Sequence, residues 1–125
     1  MYNDEIMDRY QNPYYFGKPE RYSIVIDEAS TSCGDKIILY IQEENGVIKQ
    51  IKFEGDGCII SMVSTDLFCE KATGRNIEEI MRIDESDYVK NFPVEITPGR
   101  LNCALLPIRA FRRGVGRANI PGNLK

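Results

Sequence analysis

The residues of this 125-residue chain best equipped for chemistry are its cysteines, at positions 33, 58, 69 and 103, and the chain has no histidine. Without His there is no Ser-His-Asp or Cys-His nucleophilic machinery, no histidine proton relay and no His-containing zinc site. In a reducing compartment such cysteines are more often metal ligands or reactive thiols than disulfide partners. Cys33 opens the turn Cys33-Gly34-Asp35 and Cys58 follows Gly57, so little side-chain bulk blocks approach to either sulfur. Cys58 immediately precedes a predicted helix and Cys103 lies at the start of another. Unpaired N–H groups at a helix N-terminus favour an anion, which suits a thiolate. Cys33, Cys58 and Cys103 with Asp35 would make a four-ligand set in which Asp35 is the harder and weaker donor for soft metal chemistry. The same residues are compatible with inert buried thiols, with a Cys33–Cys58 disulfide, or with a permanent structural zinc site, although such sites favour C-x-x-C pairs and a shell without carboxylate.

Bringing those residues together requires particular elements. Asn3 to Gln11 reads as a short helix capped by Asn3, with Ile6 and Tyr10 on one face, stopped by Asn12-Pro13. Tyr22 to Ala29, Ile37 to Glu43 and Val47 to Glu54 are rich in Ile, Val, Tyr and Phe and read as strands. Asn45-Gly46 between the last two is the preferred pair for a type I′ turn and predicts an antiparallel hairpin. In an unbulged register Ile38 faces Phe53, Asp35 faces Asp56 and Cys33 faces Cys58; a bulge would shift this by one residue. After Gly55-Asp56-Gly57, apolar residues recur at helical spacing up to Gly74, a suitable C′ residue. Asn76-Ile77-Glu78-Glu79 predicts another helix start in the manner of a capping box, Ser86 to Asn91 a further turn, and Asn102 to Arg113 a last helix ended by Gly114 and Gly116. Strands followed by helices predict an α+β domain, a small antiparallel sheet of about three strands covered by helices on one face.

Composition sets the outer bounds. At 42% hydrophobic and 28% charged residues the chain reads as one folded domain, 1–125, with no repeat or linker. No apolar run approaches the roughly 20 residues of a bilayer span, so no membrane is expected. The start MYNDEIMDRY does not read as a secretory signal, and the expected location is cytoplasmic. The first 99 residues carry a net charge of −9, whereas residues 100–125 carry six basic and no acidic side chains, with a basic tail from about 114. A solvated helix end or a contact with an acidic partner suits that stretch; no nucleic-acid partner is expected, since no binding motif accompanies the charge. Cys69 lies about 16 Å along the helix from Cys58 and reads as a core residue. Ser61 and Ser64 read as capping or lining the turn after Cys58. Arg100 could steady thiolate or sulfide charge or simply lie on the surface. Tyr14, Tyr15 and Phe16 read as packing for the N-terminal segment.

At these residues the chain resembles the U-type iron–sulfur cluster assembly scaffolds (IscU, the N-terminal domain of NifU, and SufU). Tyr10-Gln11-Asn12-Pro13 with Gly17 is similar to the family's Y-x-N-P…G, Cys33-Gly34-Asp35 to its C-G-D, and Gly55 to Ser61 with Ser64 to its G-x-G-C-x-x-S-x-x-S. Arg100-Leu101-Asn102-Cys103 is similar to the segment carrying its third cysteine. The resemblance implies a SufE/IscU-like fold and a scaffold, not an enzyme in the turnover sense. Such a scaffold takes persulfide sulfur from a cysteine desulfurase, builds a transient cluster, [2Fe–2S] in type, and passes it to apo acceptor proteins. Cys33, Cys58 and Cys103 carry over as ligands and sulfur acceptors, and Asp35 as the residue that keeps the cluster labile. Zn²⁺ is expected in the isolated protein. Asn102 stands where IscU-type members have His, as in SufU or His-less NifU-like proteins, while the interval from Ile59 to Asn102 is short, as in IscU and NifU. Ile96-Thr97-Pro98-Gly99-Arg100 keeps only part of the L-P-P-V-K segment read by a dedicated Hsp70, which leaves that chaperone partnership in doubt. The alternatives are a SufU-like zinc-dependent sulfurtransferase and a structural zinc module without sulfur chemistry.

Overall fold

Asn45 and Gly46 both adopt left-handed backbone conformations, with φ of 54° and 82°, the geometry that a type I′ turn needs. They join β2 (Lys36–Glu44) to β3 (Val47–Asp56), and β1 (Ile24–Ala29) pairs with the far side of β2 in an antiparallel sheet of order β1-β2-β3. The computed structural model describes residues 2–30 and 34–118, so Cys33 and the last seven residues lie outside the described residues. The remaining elements are α1 (Asp4–Gln11), α2 (Ile59–Ala72), α3 (Ile77–Met81), α4 (Glu85–Lys90) and, after a 3-10 turn at Pro98–Arg100, α5 (Leu101–Ala118). Helix α2 packs on β3, α5 packs on β1, and the two helices pack on each other. The fold is α+β, with the helical layer over one sheet face. Among the described residues no helix is long and apolar enough to cross a membrane.

Near the turn the hairpin follows the simple register, Glu44 opposite Val47 and Glu43 opposite Ile48, but Gln42 faces Gln50. Lys49 is therefore an extra residue in β3, and from there on the pairing is offset by one: Ile38 faces Glu54 and Lys36 faces Asp56. The reason lies in the core. Ile48 and Ile51 are an odd number of residues apart, yet both are fully buried in one cluster with Ile37, Leu39, Phe53, Phe68 and Phe111. Without a bulge, side chains at that spacing would point to opposite faces.

Three other expectations are corrected by packing. Asn3 caps α1, its side chain accepting from the Ile6 N–H at 2.9 Å, but only Ile6 is buried, while Tyr10 stays 39% exposed. Asn76 precedes α3 without a side-chain cap bond; instead the Ile77 N–H donates to the Gly46 carbonyl at 2.8 Å, so the hairpin turn caps the helix. Gly114 and Gly116 do not end α5, which runs to Ala118. A Cβ on Gly114 would overlap the side chain of Ile26, so this glycine lets α5 approach β1 closely.

The basic residues of α5 are largely engaged within the fold. Arg109 makes a two-pronged pair with Glu85 at 3.1 and 3.2 Å, Arg112 joins it at 3.2 Å, and Arg113 meets Glu28 at 2.6 Å. Arg112 also donates to the carbonyls of Met81, at 3.2 Å, and Ile83, just beyond α3. Hydrogen bonding from Arg109 holds the Glu85 carboxyl below its usual range. A lowered folded-state value stabilises the protein above the unfolded value of about 4.3 and loses that contribution as pH falls through the folded value.

Two measurements check these contacts. In urea titrations Gly114→Ala costs about 1–3 kcal/mol through overpacking, whereas Gly116→Ala, with open space around its Cβ, is neutral or stabilises by up to about 1 kcal/mol. Glu85→Gln costs up to about 1 kcal/mol at pH 7, and its urea midpoint falls less than that of the unsubstituted protein between pH 7 and pH 3.

Candidate metal and sulfur site

Just beyond β1, Ser30 is tied to the residues that open β2. The Ser30 N–H donates to the Asp35 carbonyl at 2.7 Å and the Gly34 N–H to the Ser30 carbonyl at 3.0 Å, with Gly34 at φ 76°, a conformation that glycine adopts without strain. This closure sets Asp35 at the mouth of β2, where it is 4% exposed. Across the sheet end, β3 runs out at Asp56 and Gly57 leads into Cys58, the N-cap residue of α2.

The two strand ends are joined by the Asp35 side chain. Its Oδ1 accepts the Cys58 N–H at 3.1 Å and its Oδ2 accepts the Ser61 hydroxyl. A side chain on residue 57 would prevent this, because a Cβ there would come within 2.6 Å of the Asp35 carboxyl carbon. A buried carboxylate is tolerable only when its oxygens are hydrogen-bonded, and the free donors at a helix start provide that. Cys58 Sγ accepts the Ser61 N–H at 3.5 Å, so a sulfur stands where a capping oxygen is usual.

Cys103 comes from α5. It lies on the first turn, 1% exposed among Ile6, Ile60, Val63, Phe92 and Ala104. Its position is fixed through the next residue: Ser64 Oγ on α2 donates to the Ala104 carbonyl at 2.6 Å, and the Tyr88 hydroxyl donates to the Ser64 carbonyl at 2.9 Å. Burial pushes the Tyr88 phenol up. Ser64 thus ties α2 to α5 rather than lining the turn after Cys58.

One ligand atom each from Asp35, Cys58 and Cys103 lie within 4.8 Å of one another, and no other such group of Cys and carboxylates occurs among the described residues. A tetrahedral ion with bonds of about 2.0–2.3 Å separates its ligands by roughly 3.3–3.8 Å, so the set needs little closure to hold one. Thiolate sulfurs with one carboxylate oxygen suit Zn²⁺ or iron. Arg100 stands beside the set on the 3-10 turn, and hydrogen bonding to Cys103, followed by the charge of Cys58, raises its guanidinium above the usual value. Cys33, the fourth expected member, lies outside the described residues. Cys69 is fully buried in the main core, and burial pushes its thiol well above its usual range. Asn102 is turned to Arg109, whose Nη1 donates to its side-chain oxygen at 2.9 Å.

One contributor carries no local sequence signal. Asp66, fully buried in α2, pairs with Arg9 Nε at 2.5 Å and accepts the N–H groups of Tyr14 and Tyr15 at 3.2 and 2.8 Å. It pins the Tyr14-Tyr15-Phe16 segment, of which Tyr15 packs against the core, Phe16 meets Phe53 edge-on, and Tyr14 is 68% exposed. A groove of about 400 Å³, lined by Tyr10, Pro13, Phe16, Phe53 and Met62, runs beside this segment to Gly57.

The sequence profile of the NifU-like N terminal domain family matches residues 1–119. The chain belongs to this family. It is 30% identical to the iron–sulfur cluster assembly scaffold protein IscU of Thermotoga maritima over 97% of this chain and 96% of that one. It is 31% identical to the zinc-dependent sulfurtransferase SufU of Bacillus subtilis over 94% of this chain and 90% of that one. Among solved structures it is similar to FiSufU from Fervidobacterium islandicum AW-1, named as a candidate SUF-system cluster assembly scaffold, with a TM-score of 0.73, 30% identity and coverage of 91% and 96% of the two chains.

In this NifU-like domain the approach of Asp35 to Gly57 is testable. Gly57→Ala displaces the carboxylate and lowers Zn²⁺ affinity, measured by competition with a chromophoric chelator, by about tenfold or more while far-UV dichroism is retained. Unchanged affinity would show that the placement of Asp35 does not matter to the ion.

Proposed function

We propose that this protein is an iron–sulfur cluster assembly scaffold. It takes iron and persulfide sulfur as substrates, the sulfur coming from a cysteine desulfurase and being reduced to sulfide by an external electron donor, and holds the growing cluster on Cys33, Cys58 and Cys103 with Asp35. It then passes the cluster, [2Fe–2S] in type, to apo acceptor proteins. The observation that carries this reading is the meeting of Cys58, Cys103 and Asp35, from three separate elements, within 4.8 Å. Cysteine thiolates are the usual cluster ligands. Asp35 makes the set weaker than four thiolates would be, which suits a cargo that must leave. Arg100 balances negative charge at the rim. The protein does no turnover chemistry of its own, acts in the cytoplasm as a single domain, and offers the basic side chains of its C-terminal stretch, which runs on as α5 to Ala118 rather than forming a tail from about 114, to an acidic partner surface.

A second reading rests on the same donors. Oxygen and sulfur around one tetrahedral ion suit Zn²⁺, and the Bacillus relative is named a zinc-dependent sulfurtransferase. In that case a resident Zn²⁺, held by Asp35 and the cysteines, would position one thiolate to accept sulfur.

Anaerobic reconstitution with ferrous iron, cysteine, a desulfurase and a thiol reductant, which supplies the electrons that take persulfide sulfur to sulfide, separates the two. A scaffold develops visible cluster absorption and hands it to an apo-ferredoxin, and Cys58→Ala or Cys103→Ala abolishes both. A zinc-dependent sulfurtransferase instead stimulates desulfurase turnover only when zinc-loaded and forms no transferable chromophore. That second result would overturn the scaffold assignment.

A further inference from the structure

Ser61 touches two of the candidate ligands, Asp35 and Cys58, at once, and is not counted among the ligands itself. It is fully buried, one turn into α2. Its hydroxyl donates to Asp35 Oδ2, its Oγ is 3.5 Å from Cys58 Sγ, and its N–H points at that sulfur, also at 3.5 Å. From this geometry we infer that Ser61 is a positioning residue that sets the donor strength of Asp35 and, through it, the rate at which the site lets go of a bound metal ion. The inference rests on the reading of Asp35 and the cysteines as a metal-holding set.

The physical reasoning is a competition for lone pairs. A carboxylate oxygen that accepts a hydrogen bond puts less electron density on an ion, and the hydrogen bond is strong because the acceptor is charged. In Asp35 the other oxygen is engaged as well, by the Cys58 N–H. An ion therefore meets a carboxylate that is already satisfied at both ends, and gains less from it than from a free one. Removal of the Ser61 hydroxyl takes one donor away from Oδ2, while the Cys58 N–H and the flat surface of Gly57 still hold the carboxylate in place. Two consequences follow. The ion-free protein loses stability, because a buried oxygen gives up a strong hydrogen bond, and the loaded protein loses less, because the ion takes the place of that donor.

The test uses Zn²⁺ and Co²⁺ as probes on the full chain. Release of Zn²⁺ to an excess of chromophoric chelator is timed for the unsubstituted protein, Ser61→Ala, Ser61→Thr, Asp35→Ala and the Ser61→Ala/Asp35→Ala double variant. Ser61→Ala is expected to release Zn²⁺ about threefold to tenfold more slowly, and its melting temperature to rise more on Zn²⁺ addition than that of the unsubstituted protein. Ser61→Thr, which keeps a hydroxyl, stays near the unsubstituted rate. In the Asp35→Ala background the Ser61 substitution has no further effect, and Co²⁺ spectra show the same thiolate-to-cobalt absorption in Ser61→Ala as in the unsubstituted protein.

Equal or faster release from Ser61→Ala overturns the inference, as does an effect that persists without Asp35. Failure of Ser61→Ala to fold even when Zn²⁺-loaded overturns it too, since Ser61 would then serve the core alone. If instead Asp35→Ala leaves Zn²⁺ affinity and the Co²⁺ spectrum unchanged, Asp35 is no ligand, and the underlying site reading falls together with the inference.

Discussion

The carboxylate of Asp35 spans the gap between the end of the sheet and the start of α2, and the candidate site exists because of that bridge. Burying a carboxylate is costly unless each oxygen finds a donor. Here one donor is a free backbone N–H at the helix N-terminus and the other a hydroxyl on its first turn. The helix start also offers its positive end to a negative group. Closure of the 30–35 turn, absence of a side chain at Gly57 and the extended conformation of Cys58 all serve this contact. The candidate ligands are thus gathered by interactions internal to the protein, which spares an arriving ion the cost of ordering them.

Helix α2 is the hub through which the rest of the fold reaches the site. Nine of its fourteen residues are buried, among them Ser61, Ser64, Thr65 and Asp66, so it lacks the single apolar stripe of a surface helix. Each of three polar side chains makes one long-range connection. Ser61 holds β2 through Asp35, Ser64 holds α5 through Ala104, and Asp66 holds the N-terminal segment through Arg9, Tyr14 and Tyr15. No buried side-chain polar atom among the described residues lacks a partner, the condition under which polar groups inside a core specify an arrangement instead of weakening it.

What could be read from the sequence was governed by local chemistry. Asn45-Gly46 dictates a turn whatever surrounds it, Gly74 ends α2 with φ at 82°, and apolar spacing marks α2 and α5. The juxtaposition of Asp35 and Cys58 followed from the hairpin alone, because a one-residue bulge does not move strand ends far apart. The bulge itself had a signal, in the odd spacing of two β-branched residues, Ile48 and Ile51, that both belong to the core. Gly114 and Asn76 misled because each has two uses, and the choice was made by a distant partner, Ile26 in one case and the Gly46 carbonyl in the other. The roles of Ser61, Asp66 and Tyr88 were hidden for the same reason: a Ser, Asp or Tyr inside a helical pattern does not announce a partner 24 to 57 residues away.

The composition of the set bears on how tightly it should hold anything. Structural zinc sites gain their stability because the unfolded chain has no preformed site, so that metal binding and folding are one event. In this protein each Asp35 oxygen already accepts a hydrogen bond that holds the sheet to α2, and Cys58 already receives an N–H. Cys103 is held from behind by the Ser64–Ala104 contact and is met by Arg100 at the rim. An ion entering such a set displaces or shares existing interactions at each of these three positions, so the net gain is smaller than the donor list suggests. Hydrogen bonds of the fold's own that hold the ligands stay in place when an ion leaves, which suits a carrier better than a protein stapled by its metal.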